Sequence, residues 1–204
     1  MAAVARGAAG PGSGGPRLVL LGPPNSGKGT QAAALAARLG VPAISTGDLL
    51  RDEAAAGTGL GRRVDAIIKS GRLVDDDTVA EVVRERLARP DAAGGFLLDG
   101  YPRTRGQAET LAQILAERGE SLDAVISLVV PEATLLERAR ARGRADDSDE
   151  VLRERLRVYR DQTAPLIEHY LASGLLREVD GDRPIDEVTA AVIATLTTGV
   201  TAKG

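Results

Sequence analysis

The sequence of 204 residues has no cysteine and no tryptophan, and it has only one phenylalanine, three tyrosines and one histidine. Without cysteine, disulfides and thiolate metal sites are excluded, and the composition suits the cytoplasm. So few aromatic rings cannot build a platform that stacks the bases of single-stranded nucleic acid. The net charge of −3 also argues against nucleic acid as a partner.

Long apolar runs are missing too, so we expect no membrane-spanning segment. Hydrophobic residues make up 43% of the chain and charged residues 27%, as in one globular domain with a sizeable core. We place this domain at residues 17–198. Residues 1–16, almost all Ala, Gly, Ser and Pro, and residues 199–204 are expected to be flexible tails. The first tail lacks the compact apolar segment of a secretory signal.

Five short apolar segments alternate with helical patterns along the domain, which predicts an α/β fold with a parallel five-stranded sheet and helices on both faces. The predicted strands are 17–21, 41–44, 96–98, 125–130 and 175–179. The predicted helices are 30–39, 48–56, 62–70, 76–88, 105–118, one that begins near 131, 149–171 and 185–196. Pro165 should kink the longest of them.

The stretch LVLLGPPNSGKGTQ, residues 18–31, nearly matches the phosphate-binding pattern G-x-x-x-x-G-K-[ST]. A strand, a glycine-rich loop and a helix form the context in which backbone N–H groups and Lys28 can hold an anion. The alternative without a binding function is a glycine-rich turn with a solvated lysine. Two residues depart from the common pattern: Asn25, which tolerates left-handed backbone, and Gly29, which displaces the hydroxyl to Thr30.

Asp99 ends the apolar segment Phe96-Leu97-Leu98. An acid at that place can face magnesium, directly or through water, although alone it would more simply cap the turn at Gly100. The phosphate-binding pattern elsewhere in the chain favours the functional interpretation.

Six motifs in register carry a family resemblance: GPPNSGKGTQ, ISTGDLLR, GRLVDD, GFLLDGYPRT, GRADD and RERLRVYRDQTAPLI. Together they resemble adenylate kinases, of the nucleoside monophosphate kinase family, from about residue 17 to residue 195. The resemblance implies a P-loop kinase-type fold with a helical NMP-binding insert at about 45–77. It also implies a short lid at about 141–148, of the class without a zinc site.

The resemblance also explains the displaced hydroxyl, because family members read Gly-Lys-Gly-Thr here. Gly29 removes a side chain where the helix approaches phosphate. Thr30 is turned by about 100° around the helix, away from the usual magnesium-ligand position. We therefore expect Mg²⁺, bound with ATP, to be held by phosphates and water near Asp99, with no direct protein ligand and no zinc.

The family's functional residues transfer by motif. The catalytic group would be Lys28, Asp99, Arg103, Arg144 and Arg155. The ATP site would comprise Gly22, Pro23, Asn25, Ser26, Gly27, Lys28, Gly29, Thr30, Arg138, Arg142 and Arg183. The AMP site would comprise Thr46, Arg51, Val74, Gly100, Arg103, Gln107, Arg144 and Arg155. For the arginines between 138 and 160 the alternative is a solvated helix face, which we expect for Arg140, Arg153, Arg157 and Arg160.

The expected activity is reversible transfer of the terminal phosphoryl group of ATP to AMP, giving two ADP, in adenine nucleotide homeostasis and by a monomer. UMP/CMP kinase and GTP:AMP phosphotransferase remain alternatives on the same scaffold. A GTPase-like switch is disfavoured because the only asparagine, Asn25, lies in the loop. A non-catalytic nucleotide-binding protein is disfavoured because Lys28 and the lid arginines are present.

Overall fold

The computed structural model describes residues 14–56, 59–70, 72–142 and 149–198. In chain order its elements are β1 (Arg17–Leu21), α1 (Lys28–Leu39), β2 (Ala43–Ser45), α2 (Thr46–Ala55), α3 (Gly59–Lys69), α4 (Asp76–Leu87), β3 (Phe96–Asp99), α5 (Arg105–Glu117), β4 (Ala124–Val129), α6 (Glu132–Arg142), α7 (Asp149–Val158), α8 (Pro165–Ala172), β5 (Leu176–Asp180) and α9 (Ile185–Thr198). A 3₁₀ turn, Pro90–Ala92, precedes β3, and a π-helical turn, Tyr159–Thr163, joins α7 to α8.

The five strands form one parallel sheet in the order β2-β3-β1-β4-β5, which confirms the predicted fold class. On β1, Leu20 lies opposite Asp99 of β3 on one side and Ile126 of β4 on the other. Because all the strands run the same way, their carboxyl ends share one edge of the sheet. The loop after β1 and the acid that ends β3 therefore open onto the same edge, where α/β folds bind ligands.

Helices cover both faces of the sheet, and the alternating side chains of β1 belong to two cores. Val19 and Leu21 pack with residues of α4, α5 and α8, whereas Leu18 and Leu20 pack with residues of α1 and α9. All four side chains are at least 97% buried. A continuous apolar strand is the pattern expected when both faces of a parallel sheet are covered.

Several predicted boundaries shift by a few residues. The largest strand shift is in β2, predicted at 41–44 and found at Ala43–Ser45, because its pairing with β3 sets Ala43 opposite Leu97. Helix α1 begins two residues earlier than predicted, at Lys28, with Gly27 before it in left-handed backbone. Gly40 ends α1 in the left-handed C-cap conformation, as helix-terminating glycines commonly do.

The long helix predicted at 149–171 is divided into α7, the π-helical turn and α8. The Ala164 N–H donates to the Tyr159 carbonyl at 2.8 Å, five residues back, and Pro165 begins α8. Proline lacks an N–H and its ring crowds the preceding turn, so the ladder takes up an extra residue before it. The disturbance expected at Pro165 is found as a π-helical turn, which lies in the residues that precede the proline.

The lid predicted at about 141–148 falls mainly outside the described residues, as do the first 13 residues and the last six. None of the described helices is long and apolar enough to cross a membrane.

Candidate active site

The loop after β1 needs special backbone at three positions. Gly22 has φ of 150°, and a Cβ there would lie 2.7 Å from Ser26 Oγ and 3.1 Å from the Leu128 carbonyl oxygen. Gly27 has φ of 92° and Asn25 has φ of 64°. Asparagine is among the few residues that adopt left-handed backbone readily, so the expectation that Asn25 does not break the loop is confirmed.

Lys28, the first residue of α1, folds back over this loop. Its Nζ donates to the carbonyl oxygens of Gly22 at 2.7 Å and Pro23 at 2.8 Å. Burial of the ammonium lowers the pKa of Lys28 from its ordinary value of 10.5 to about 8. The charge of Asp99 opposes that shift, and the charge of Arg103 adds to it.

The unusual Gly29 faces the acid at the end of β3. A Cβ at position 29 would lie 3.6 Å from Asp99 Oδ2, so a larger side chain would enter the space between α1 and that carboxylate. Thr30 is exposed and borders the same opening. Gly29 therefore keeps clear the space beside the anion-binding end of α1.

The residues at the ends of β2 and β3 form the side of the opening that lies across from the loop after β1. Ser45 pairs with Asp99 and caps α2, which begins at Thr46, by accepting a hydrogen bond from Asp48 N at 3.2 Å. The buried Thr46 hydroxyl donates to the Asp99 carbonyl at 3.2 Å. Gly100 has φ of 84°, and a Cβ there would lie 2.8 Å from Thr46 Oγ1, which requires glycine between the two strand ends.

Arg103 lies in the loop between β3 and α5, and its backbone and side chain are both held. Its Nε donates to the Gly100 carbonyl at 2.7 Å, and its N–H donates to Gln107 Oε1 at 2.7 Å. Desolvation lowers the pKa of Arg103; Asp99 raises it, while Arg155 and Arg51 lower it further. A guanidinium that lies near other cations and one acid is surrounded by an excess of positive charge, which favours the binding of phosphate.

Three further arginines approach the opening from two helices, α2 and α6. Arg51 of α2 pairs with Asp48 of the same helix. From α6, Arg138 donates to the carbonyls of Ser26 at 3.3 Å and Gly181 at 3.0 Å. Arg142, at the end of α6, donates to Asn25 Oδ1 at 3.3 Å.

These groups surround one cleft of about 780 Å³. Its basic side chains are Lys28, Arg51, Arg72, Arg103, Arg138, Arg142 and Arg155, and its acidic ones are Asp48 and Asp99. The whole chain has a net charge of −3, so the excess of cations is local to the cleft. Such a cleft concentrates anionic ligands.

Most of the predicted site residues line this cleft: Gly22, Asn25, Gly27, Lys28, Gly29, Thr30, Thr46, Arg51, Val74, Asp99, Gly100, Arg103, Gln107, Arg138, Arg142 and Arg155. Pro23, Ser26 and Arg183 do not. Pro23 and Ser26 act through their carbonyls, on Lys28 and Arg138. The Arg183 side chain points to Asp180, with Nε 2.9 Å from Oδ2. Arg144 lies outside the described residues.

Several cleft residues were missed by sequence reasoning: Arg72, Leu73, Asp48, Leu50, Ile68, Val158, Tyr159 and Thr163. Arg72 and Leu73 stand within GRLVDD and Thr163 within RERLRVYRDQTAPLI, so motif membership was available as a signal. Of these eight residues only Ile68 lies outside the quoted motifs, and it carried no signal beyond helical periodicity. Of the arginines expected to pair on the helix surface, Arg157 contacts Glu154 and Asp161, each at 2.9 Å.

In the ranges that the structure describes, no three His, Asp or Glu side chains are grouped so as to hold a metal ion. Asp99, at the end of β3, is near enough to Lys28 and Arg103 for its charge to raise the pKa of both. A single carboxylate beside a phosphate site could accept hydrogen bonds from the water of a hydrated Mg²⁺. The ligands of such an ion would come from phosphate and water.

A central parallel strand, a glycine-rich loop closing on a lysine, and an acid ending the neighbouring strand define a P-loop kinase-type protein. The family model described as adenylate kinase matches residues 20–175. An adenylate kinase of Stenotrophomonas maltophilia (strain R551-3) is 50% identical over 184 residues, and one of Nocardia farcinica (strain IFM 10152) is 51% identical over 180 residues. Each alignment covers 88% of this chain and 98% of the relative.

An adenylate kinase of Thermobifida fusca (strain YX) is 49% identical over 184 residues, with 88% of this chain and 97% of that protein covered. The chain therefore belongs to the adenylate kinase family.

Proposed function

We propose that this protein transfers the terminal phosphoryl group of ATP to AMP, reversibly, giving two ADP. The observation that carries the proposal is that Lys28, Arg103 and Asp99 share one cleft: the charge of Asp99 raises the pKa of both basic groups, and the charge of Arg103 lowers that of Lys28. Two phosphate sites facing each other are what direct transfer between two nucleotides requires.

The donor side is the loop of residues 22–30 with α6. The backbone N–H groups at the start of α1 and the Lys28 ammonium would hold the ATP phosphates. Arg138 donates to carbonyls of the loop and of residue 181, and we assign its planar guanidinium to the face of the adenine ring. Arg142 and the backbone near Arg183 would complete the donor site.

The acceptor side is formed by α2, the segment before α4 and the loop after β3. Arg51 and Arg103 would bind the phosphate of AMP, since a guanidinium fork matches two phosphate oxygens at once. Thr46, the backbone at Val74, Gly100 and Gln107 would surround the base. Arg155, and Arg144 from the predicted lid, would close on the phosphates from the other side.

The reaction needs positioned cations more than a base. An oxygen of the AMP phosphate, already anionic, attacks the terminal phosphorus of ATP while the bond from that phosphorus to the bridging oxygen of ADP breaks. Lys28, Arg103 and Arg155 would stabilise the negative charge on the transferring group and on the leaving oxygen. No proton has to be removed from the acceptor.

We assign to Asp99 the ordering of water on a Mg²⁺ bound with ATP. When bound, the ion would neutralise phosphate charge. We also propose that the protein acts as a monomer in the cytoplasm on free nucleotides, consistent with its cysteine-free composition.

The test is acceptor choice, with ATP as donor and AMP, CMP, UMP and GMP as acceptors. In this structure the Thr46 hydroxyl donates to the Asp99 carbonyl, so its free lone pairs can accept from the 6-amino group of adenine. A site built on such hydrogen bonds rejects a base that leaves them unpaired by a factor of about 10⁴. We therefore expect kcat/KM for AMP to exceed the values for the others by a wide margin.

Two variants sharpen this experiment. Thr46→Ala should lower kcat/KM for AMP about tenfold and lower it less for UMP, which has no amino group. Thr46→Ser keeps the hydroxyl and should stay close to the unmodified protein. If UMP or CMP matched AMP in the unmodified protein, the chain would be a monophosphate kinase of different specificity, and the AMP assignment would be wrong.

A further inference from the structure

A chain of hydrogen bonds runs from outside the cleft to two of its acceptor-side residues, and it begins at Asp76, the first residue of α4. Asp76 Oδ1 accepts from Gln107 Nε2 at 2.8 Å, and Asp76 Oδ2 accepts from the Thr104 hydroxyl at 2.8 Å. Gln107 Oε1 in turn accepts from Arg103 N at 2.7 Å. Asp76 does not line the cleft, whereas Gln107 and Arg103 do.

The same series of hydrogen bonds connects the first turn of α4 with the N-terminal cap of α5. Thr104 caps α5 by accepting from Gln107 N at 3.1 Å while it donates to Asp76. A Cβ at Gly106 would lie 3.1 Å from Asp76 Oδ2, so the glycine leaves room for the carboxylate. On its far side, the Arg103 carbonyl accepts from the Thr163 hydroxyl at 2.8 Å.

These contacts determine which way the Gln107 amide points. A carboxylate can only accept and a backbone N–H can only donate. With Asp76 at one end of the amide and Arg103 N at the other, the reverse orientation would set oxygen against carboxylate and NH₂ against N–H. Gln107 is 2% exposed, so water cannot relieve such a mismatch, and a buried unpaired group is costly.

The orientation has a consequence for base recognition. With one N–H and one oxygen lone pair committed, Gln107 keeps one donor and one acceptor at fixed positions. Adenine offers an amino donor next to the N1 acceptor, whereas 6-oxopurines such as guanine offer a carbonyl next to an N1–H donor. A fixed amide can match one of these patterns, and an amide free to rotate can match both.

We propose that Asp76 is a positioning residue for the acceptor base: by fixing the Gln107 amide it makes the site select adenine over 6-oxopurines. This inference rests on the proposed assignment of AMP to the acceptor side.

The experiment compares the unmodified protein with Asp76→Ala, Asp76→Asn and the control Asp77→Ala. Asp77 is in the same first turn of α4, so its loss removes the same helix-terminal charge without touching Gln107. For each protein we would measure kcat/KM for AMP and GMP, KM for ATP, Kd for AMP and GMP by calorimetry, and Tm.

Asp76→Ala should raise KM and Kd for AMP about tenfold, the equivalent of about one hydrogen bond, and lower the AMP-to-GMP ratio of kcat/KM by a similar factor. KM for ATP should change less than twofold by the same reasoning. Asp76→Asn should recover most of the ratio, because an amide oxygen can still accept from Gln107. Asp77→Ala should leave the ratio unchanged.

An unchanged AMP-to-GMP ratio in Asp76→Ala would overturn the proposal. So would a loss shared equally by AMP and ATP together with a lowered Tm, since that would make Asp76 a purely structural residue. Equal use of AMP and GMP by the unmodified protein would instead overturn the acceptor assignment, and this inference with it.

Discussion

The lowered pKa of Lys28 predicts that catalysis fails in mildly alkaline solution. The ammonium titrates at about 8 in the free protein, and only its charged form attracts phosphate. At pH 9 about one molecule in eleven would be protonated, so kcat/KM for ATP should fall about tenfold from its plateau, and about 100-fold by pH 10. A lysine with an ordinary pKa would lose only about 3% at pH 9.

The assay is the initial rate at low ATP and saturating AMP, from pH 7 to pH 10. At saturating ATP the alkaline fall of kcat should move to higher pH, because bound phosphates favour the charged lysine. Lys28→Arg is the control: its guanidinium stays charged throughout, so whatever activity remains should show no such fall. Lys28→Ala should lose activity at every pH, by about 3 kcal/mol in transition-state stabilisation.

The same shift should alter stability, which gives a readout independent of turnover. Between pH 8 and 10.5 the folded protein holds fewer protons at Lys28 than the unfolded chain does. The free energy of unfolding should therefore rise with pH across that window and be lower below pH 8. Lys28→Met should lack this rise.

The rise in the free energy of unfolding would be at most about 3 kcal/mol. Solvent in the open cleft beside Lys28 should make it smaller. A kcat/KM profile for ATP that stays flat to pH 10 in the unmodified protein would refute this account of Lys28.

Two further outcomes follow from other parts of the structure. Gly95→Ala should lower stability by about 2 kcal/mol and Tm by about 4–8 °C, because Gly95 has φ of 122° and a Cβ there would lie 2.9 Å from the Pro16 carbonyl oxygen and closer still to Gly15. Gly94→Ala, whose Cβ would meet nothing within 4 Å, is the matched control, and equal melting of the two variants would contradict the argument. Removing magnesium with EDTA should abolish transfer and added Mg²⁺ should restore it, whereas a zinc-selective chelator should have no effect; stoichiometric zinc in elemental analysis would disprove this.

The parts of the fold that were predictable from sequence are those in which one local pattern is enough. The apolar run of β1, the glycine at the end of α1 and the loop motif each specify their own geometry. The three-residue β2 was misplaced because its limits depend on pairing with β3, and pairing is not visible in a single segment. The π-helical turn was missed because a proline indicates that a helix is disturbed, but it does not indicate which hydrogen bonds the preceding turn will form.

In the candidate site, too, features set by one local segment were predictable and contacts between distant segments were not. Residues within motifs were found, and most of them meet in the cleft. Asp76 stands within GRLVDD, yet its partner Gln107 is 31 positions away, and nothing in either segment indicates that they meet. Buried pairs such as Gln31 and Thr189, joined at 2.8 Å between α1 and α9, are hidden from sequence for the same reason.

The two departures from the common loop pattern have separate physical explanations. Gly29 leaves open the space between α1 and the Asp99 carboxylate, since a Cβ there would lie 3.6 Å from Asp99 Oδ2 and a longer side chain would enter that space. Asn25 is only permitted by its backbone, since its φ of 64° would suit glycine better. Its side chain, however, accepts from Arg142, a contact that glycine could not make. An arginine from the end of α6 is thereby held beside the loop after β1, and this interaction offsets what the left-handed backbone costs asparagine relative to glycine.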